Sequence, residues 1–165
     1  MWMLIGEPHL SRRQLFMHKT HIPRRWRTGR AGSAILEMSL IAPLLFMLSF
    51  GVADYGYFLY LKNTFQGAAQ AGARAAVPYA ATNANVTGTT GIVTKMMTAA
   101  GVPSANYTVT LSPSNISGIS AGTLITVTLS ANWSTVGTHI LPASMGGLGS
   151  SKVVSATAIA QKESN

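Results

Sequence analysis

The sequence predicts an α+β protein, in which a long N-terminal membrane-spanning helix continues into a small exported domain with an antiparallel sheet. Three observations carry this expectation. Seven of the twelve Lys and Arg residues fall in the first 30 positions, against one acid, Glu7. An apolar run of helical length follows that tail almost at once. Beyond Pro78 the composition turns to Asn, Thr, Ser and Gly, with short alternating segments between turn residues.

Length and charge set the outer bounds. A chain of 165 residues accommodates one domain, or a small domain with an appendage. Only 10% of its residues are charged, against roughly a quarter in an ordinary soluble domain. The net charge of +8 is mostly the tail, which carries +6 and leaves +2 for everything after Arg30. A nucleic-acid-binding fold spreads its cations over a folded face, so no nucleic-acid partner is expected. The absence of cysteine excludes a disulfide scaffold, a thiolate metal site and a cysteine nucleophile.

The first element is the span. Met38 to Leu61 is 24 residues with a single acid, Asp54. At about 1.5 Å per residue it reaches roughly 36 Å, enough for a ~30 Å hydrocarbon core with some tilt. A transmembrane segment of about 38–61 is therefore expected. Seven cations precede it, and only Lys62 and Arg74 follow closely. The positive-inside rule then places the N-terminus in the cytoplasm and the C-terminal part outside. Tyr55, Tyr57, Phe58 and Tyr60 read as an aromatic belt at the outer interface. Ser11 to Phe16 (SRRQLF) looks like a twin-arginine export signal, but the apolar run starts about twenty residues too late for one. Met17 is an alternative start, which would remove that motif altogether.

The junction between tail and span is the most informative stretch. It reads Arg30-Ala31-Gly32-Ser33-Ala34-Ile35-Leu36-Glu37-Met38, a Gly, four residues, then a Glu at the head of an apolar helix. A carboxylate at the start of a membrane span is costly and needs a partner or a function. Pro43, Gly51, Asp54-Tyr55-Gly56 and an Ala-rich continuation containing Arg74 follow. This series, from about Ala31 to Ala76, resembles the TadE-like pseudopilins of the tight-adherence (Flp pilus) systems. It departs from them at Met38, where the family more often has an aromatic residue.

The resemblance implies a set of expectations. A prepilin peptidase would cut between Gly32 and Ser33, removing a basic leader (residues 1–32). Glu37 would become the fifth residue of the mature chain and pair with the terminal amine of a neighbouring subunit. Such a charge-assisted bond in low dielectric fixes axial register. The bland reading is that Glu37 marks the interface and favours a helix N-terminus. The chain would serve assembly of a Flp-type pilus for adhesion and biofilm formation. Its partners would be that peptidase, other pilins and pseudopilins, the Tad inner-membrane platform and membrane lipid. It would sit as a single-pass protein in a bacterial inner membrane, with incorporation into a pilus open.

Asp54 has two readings. It pairs with a cation on a partner's helix, or it lies hydrated at the outer headgroup level, the preferred alternative. At about 100° per residue Glu37 and Asp54 stand about 100° apart on a helical wheel, so one partner surface need not serve both.

The helix is expected to continue to Val77, giving a region 33–77, and the exported domain to occupy 78–165. Gly67, Ala71 and Ala75 form a row of small residues that lets helices approach closely, and Ala68, Gly72 and Ala76 form a second. The same residues suit an Ala helix packing on its own domain. Pro78 ends the helix. Ala80 to Gly91 reads as a loop. Ile92–Ala100 reads as a short helix stopped by Gly101 and Pro103. Strands are expected at Tyr107–Leu111, at Leu124–Leu129 with an extension toward Trp133, and at Lys152–Ala160. Four Asn-x-Ser/Thr sequons, at Asn85, Asn106, Asn115 and Asn132, match by Ser/Thr density and carry no assigned function.

No constellation for catalysis is visible. His139 is the only histidine after residue 21, and Glu163 the only acid beyond the span. Paired-carboxylate chemistry lacks material, and no phosphate-binding glycine pattern occurs in a strand–helix context. No enzyme activity, cofactor or metal is expected. Two other classes remain beside the assembly protein. One is a single-span membrane protein whose extracytoplasmic domain binds a ligand without any pilus. The other is a secreted protein released by signal peptidase near Ala69–Ala71.

Overall fold

The computed structural model describes residues 29–164. The basic tail to residue 28, the Ser11–Phe16 motif and Met17 lie outside the described residues. The chain forms two compact units divided after Glu37. In the first, helix has begun by Gly29. The second unit, Met38–Asn165, holds the rest of that helix and the whole sheet domain.

Helix α1 spans Gly29–Ala76 and runs through Pro43. Within the second unit its surroundings change at Asp54. From Met38 to Ala53 nearly every side chain is exposed, although most are apolar. Beyond that point burial recurs on one face, at Asp54, Leu61, Phe65, Ala68, Ala69, Ala73 and Ala76. That is the i, i+3/i+4 pattern of a helix pressed against a core. Two hydroxyls in the helix return to the backbone one turn earlier: Ser49 donates to the Leu45 carbonyl at 2.9 Å and Thr64 to that of Tyr60 at 3.0 Å.

The domain completes an α+β fold. Helices α2 (Asn83–Thr87) and α3 (Ile92–Ala99) precede strands β1 (Thr108–Ser112) and β2 (Leu124–Asn132). A short helix α4 (Trp133–Val136) and strand β3 (Val153–Gln161) complete the order. The strands form one antiparallel sheet, β1-β2-β3, with Thr110, Thr128 and Thr157 in register. Its inner face presents Ile125, Val127, Leu129 and Ala131 from β2, with Val154 and Ala156 from β3, to the core shared with α1. Its outer face is Thr and Ser rich, and the hydroxyls of Thr128 and Thr157 share a hydrogen bond at 3.2 Å. This in–out alternation is that of an antiparallel sheet with one buried face.

The three strands lie within one to three residues of the expected bounds. Two local expectations fail. The stretch Ala80–Gly91, read as a loop, contains α2. Thr82 caps it: its backbone N–H donates to Asn85 Oδ1 at 2.8 Å and its hydroxyl to the same atom at 2.7 Å. Asn83 then ties the helix to the chain at Ser114 and Ile116, and Val86 is fully buried. Polar composition concealed a capped turn with one apolar anchor. The second strand also stops at Asn132 rather than reaching Trp133.

Trp133 turns instead into the core and is fully buried. Its ring meets Phe58 edge-on at 5.5 Å and Tyr57 at 6.1 Å, both favourable aromatic geometries. This corrects the aromatic-belt expectation. Tyr57 and Phe58 are half-buried and join α1 to its own domain, while Tyr55 and Tyr60 remain exposed.

Two details hold the far end of α1. Gly72 lies against α3 and β2 so closely that a Cβ there would stand 2.7 Å from Val93 Cγ2 and 3.4 Å from Val127 Cγ1. Lys162, just after β3, is buried, and its ammonium donates to the carbonyls of Ala76, Ala81 and Ile116 at 3.2 to 3.4 Å. Ala76 is the last residue of α1, whose terminal carbonyls have no partner within the helix. A cation there also complements the helix dipole.

Gly72→Leu is expected to destabilise the domain by about 1–3 kcal/mol through overpacking. Lys162→Met should cost about 1–3 kcal/mol by stranding buried carbonyls. Urea titration of the full chain in detergent micelles, followed by tryptophan fluorescence, measures both, and an unshifted midpoint would contradict the packing just described.

Candidate functional site

The residues singled out in the sequence lie along α1, and the structure sorts them into three groups. At the junction, Ser33 and Glu37 stand one helical turn apart on exposed backbone. The Ser33 hydroxyl donates to Glu37 Oε1 at 3.1 Å, the meeting that i, i+4 spacing provides. The Gly32–Ser33 peptide lies inside the helix, and a Cβ built at Gly32 meets no atom within 4 Å.

The second group lies in the exposed apolar half. Its most apolar 18-residue stretch has a mean hydropathy of 2.0 and no buried residue, within a helix long enough to cross a membrane. Pro43 lies within it. A Cβ at Gly56 would meet nothing, and one at Gly51 would touch only Leu141 Cδ2, at 3.9 Å. A helix whose apolar residues are bare has no folded partner for them among the described residues, and hydrocarbon supplies one. The helix therefore has the form of a single-pass membrane anchor.

Asp54 closes this half, and neither sequence expectation describes it. Asp54 is 1% exposed, so it is not hydrated at a headgroup level. It presents no open surface to a partner's cation either. The Thr138 hydroxyl donates to Asp54 Oδ1 from a loop 84 positions away in sequence. Asp54 Oδ2 and the nearby core's Trp133 Nε1 are buried without a hydrogen-bond partner among the described residues. The helix places Asp54 on the face that continues through Phe58 and Leu61, and that face is the one its own domain covers. In the sequence the acid reads as part of the membrane segment because the run around it is apolar. The loop that covers it is too distant in sequence to be read.

The third group is the small-residue rows. Ala68, Gly72 and Ala76 are buried and seat the helix on its own domain. Gly67, Ala71 and Ala75 are half-buried at the margin of that contact, and a Cβ at Gly67 would lie 3.7 Å from Met96 Cε. His139 is exposed, at a positive φ of 50°, with its ring 6.2 Å from that of Trp133. Among the described residues no three His, Asp or Glu side chains gather to hold a metal ion.

Thr138→Val should remove the donor to Asp54 and cost about 1–3 kcal/mol, the penalty for an unsatisfied buried acceptor. Hydrogen exchange in detergent should then rise in the loop following α4 before it rises in the sheet. Uniform exchange across both would contradict a local latch.

Comparison with known proteins follows the same division. The family model described as TadE-like protein matches residues 32–74, the junction, the bare half and most of the domain-packed half of α1. No curated protein and no solved structure matches the chain. The matched segment is about a quarter of the chain and is similar to the TadE-like family there. The TadE-like pilin family is a structural, non-enzymatic one.

Proposed function

We propose that this chain is a pseudopilin or minor pilin that takes part in assembling a Flp-type pilus for adhesion and biofilm formation. A prepilin peptidase removes residues 1–32, the helical region 33–77 anchors the product, and the domain 78–165 is displayed outside the cytoplasmic membrane. The observation that carries this reading is the likeness of residues 32–74 to the TadE-like family, on a helix bare over its apolar half and packed on a domain over the rest.

The charge distribution supports the orientation. The tail preceding the span is strongly basic, and the cut removes all of it. What remains is a nearly neutral chain of net charge +2 before its new terminus is counted. Cleavage creates an α-ammonium at Ser33, one turn from Glu37. In the uncut chain the Glu37 carboxylate accepts the Ser33 hydroxyl. After cleavage it pairs with the terminal amine of a neighbouring subunit and sets the axial step between them. A charge-assisted bond in low dielectric is strong enough to select one register. The helical start at Gly29 adds a requirement: the Gly32–Ser33 peptide must unwind to enter a peptidase site, and glycine lowers that cost by about 1 kcal/mol relative to alanine.

Intact-mass and N-terminal analysis of the protein extracted from host membranes should find Ser33 first. A chain beginning at Met1 or Met17 would overturn processing. Gly32→Ala meets no steric obstacle, so it should leave the fold unchanged and abolish the cut. Glu37→Ala should be cut normally yet lower piliation strongly; normal pili would refute the pairing role. Normal cleavage with no pilus defect on deletion of the whole chain would favour an anchored binding protein.

A further inference from the structure

The loop that latches Asp54 continues down the side of α1 toward the span. Leu141 is buried there, with Cδ2 3.9 Å from the position a Cβ at Gly51 would take. Between the loop and the helix runs a groove of about 660 Å³. Its walls are Leu44, Leu48, Val52 and Leu59 on α1 and Leu141 and Met145 on the loop, and among the described residues Tyr55 brings the only polar side chain to it.

We propose that the loop from Thr138 to Gly146 dips into the bilayer beside the folded domain, and that the groove holds an acyl chain of a surrounding phospholipid. This rests on the reading of α1 as a membrane span.

Depth is the first argument. Counted along the helix from Met38, where the uncharged run begins, Leu44 lies about 9 Å and Gly51 about 20 Å in, both short of a ~30 Å hydrocarbon core. The groove's helical wall therefore stands in hydrocarbon, and Leu141 is fixed beside it. Composition is the second argument. No Lys, Arg, Asp or Glu occurs between Asp54's partner Thr138 and Ser151. Ile140 and Met145 are 47% and 53% exposed, although the domain has a core in which to bury such residues. Apolar side chains left outside a core beside a span have lipid as their natural solvent.

Backbone chemistry is the third argument. Irregular backbone at membrane depth must satisfy its own polar groups. Here Ala143–Met145 forms a 3₁₀ turn. The amides of Met145 and Gly147 donate to the Pro142 carbonyl at 2.9 and 3.1 Å, and that of Gly146 donates to Ala143 at 3.2 Å. Pro142 has no N–H to satisfy. The part of the loop that lines the groove is thus the part best suited to leave water. A narrow, flexible and wholly apolar occupant fits walls that lie in lipid before any assembly begins, and an acyl chain has that form.

The cysteine-free sequence makes the test direct. Single cysteines are placed in the full chain by Ile140→Cys, Met145→Cys, Leu44→Cys and Ser120→Cys and labelled with an environment-sensitive fluorophore. The proteins are reconstituted into phosphatidylethanolamine–phosphatidylglycerol vesicles, with or without acyl-brominated lipid. Labels at 140 and 145 should be quenched by brominated lipid and show several-fold weaker iodide quenching than the label at 120. If only the label at 44 is shielded, the loop proposal is overturned and the span stands. If the label at 44 is also open to iodide, the span itself fails and the proposal with it. A label at 145 that is shielded from iodide yet untouched by brominated lipid means protein fills the groove, which also overturns the proposal.

Discussion

The structure depends on one constraint: a single helix has to be stable in two different surroundings. Over Met38–Ala53 its side chains are nearly all exposed. Over Asp54–Ala76 one face is sealed by the sheet and the other is open. A domain of this size has too little apolar surface to bury both halves, so the helix divides. Asp54 stands at the division and is hydrogen-bonded by the domain. The fold solves the cost of an ionisable group at the end of an apolar run by lending it a donor from its own loop.

The packing of the sealed half explains the composition beyond it. Small residues at 68, 72 and 76 bring the helix axis close to β2 and α3, and the tight clearance at Gly72 shows how close. A close approach lets a modest sheet, three strands of five to nine residues, cover a long helix face. Phe65, Leu61 and Trp133 fill what the small residues leave. Charge is then scarcely needed in the domain. The one buried cation, among the described residues, is held by carbonyls alone; Lys162 serves as a three-way donor that closes the end of α1 and ties it to the chain after β3.

Much of this was legible in the sequence, for physical reasons that can be named. The strands follow from a period of two among Thr and branched apolar residues, and α3 from Gly101 and Pro103 at its end. The family likeness was legible because its residues lie close together in sequence, from Gly32 through Gly56. What escaped is what distance in sequence hides. Asp54 and Thr138 are 84 positions apart, and Lys162 and Ala76 are 86 apart. Apolar patterning alone cannot distinguish a helix face covered by lipid from one covered by a loop, so Tyr57 and Phe58 read as interface residues although they pack against Trp133 of their own domain. The helix α2 was hidden by Asn and Thr, which serve equally well in turns and in caps.

The same division bears on how such a chain could join others. In hydrocarbon, apolar side chains gain nothing from meeting apolar side chains, because lipid is already as apolar as leucine. The bare half of α1 is therefore equally content in lipid or among like helices, and it specifies neither. Specificity must come from the few polar or shape-bearing features that the half retains. Glu37 and Ser33 supply a directed bond at one end, on the proposed reading exchangeable for a neighbour's amine. Asp54, by contrast, is already covered by its own domain and is withdrawn from that role. On the proposed reading, register between subunits rests on the junction, while the depth at which each subunit sits rests on where the domain and its loop meet the helix. Separating these two functions onto opposite ends of the apolar run leaves the residues between them free to be merely greasy, and the sequence from Met38 to Ala53, with only Ser39 and Ser49 to interrupt its uncharged nonpolar course, reads in that way.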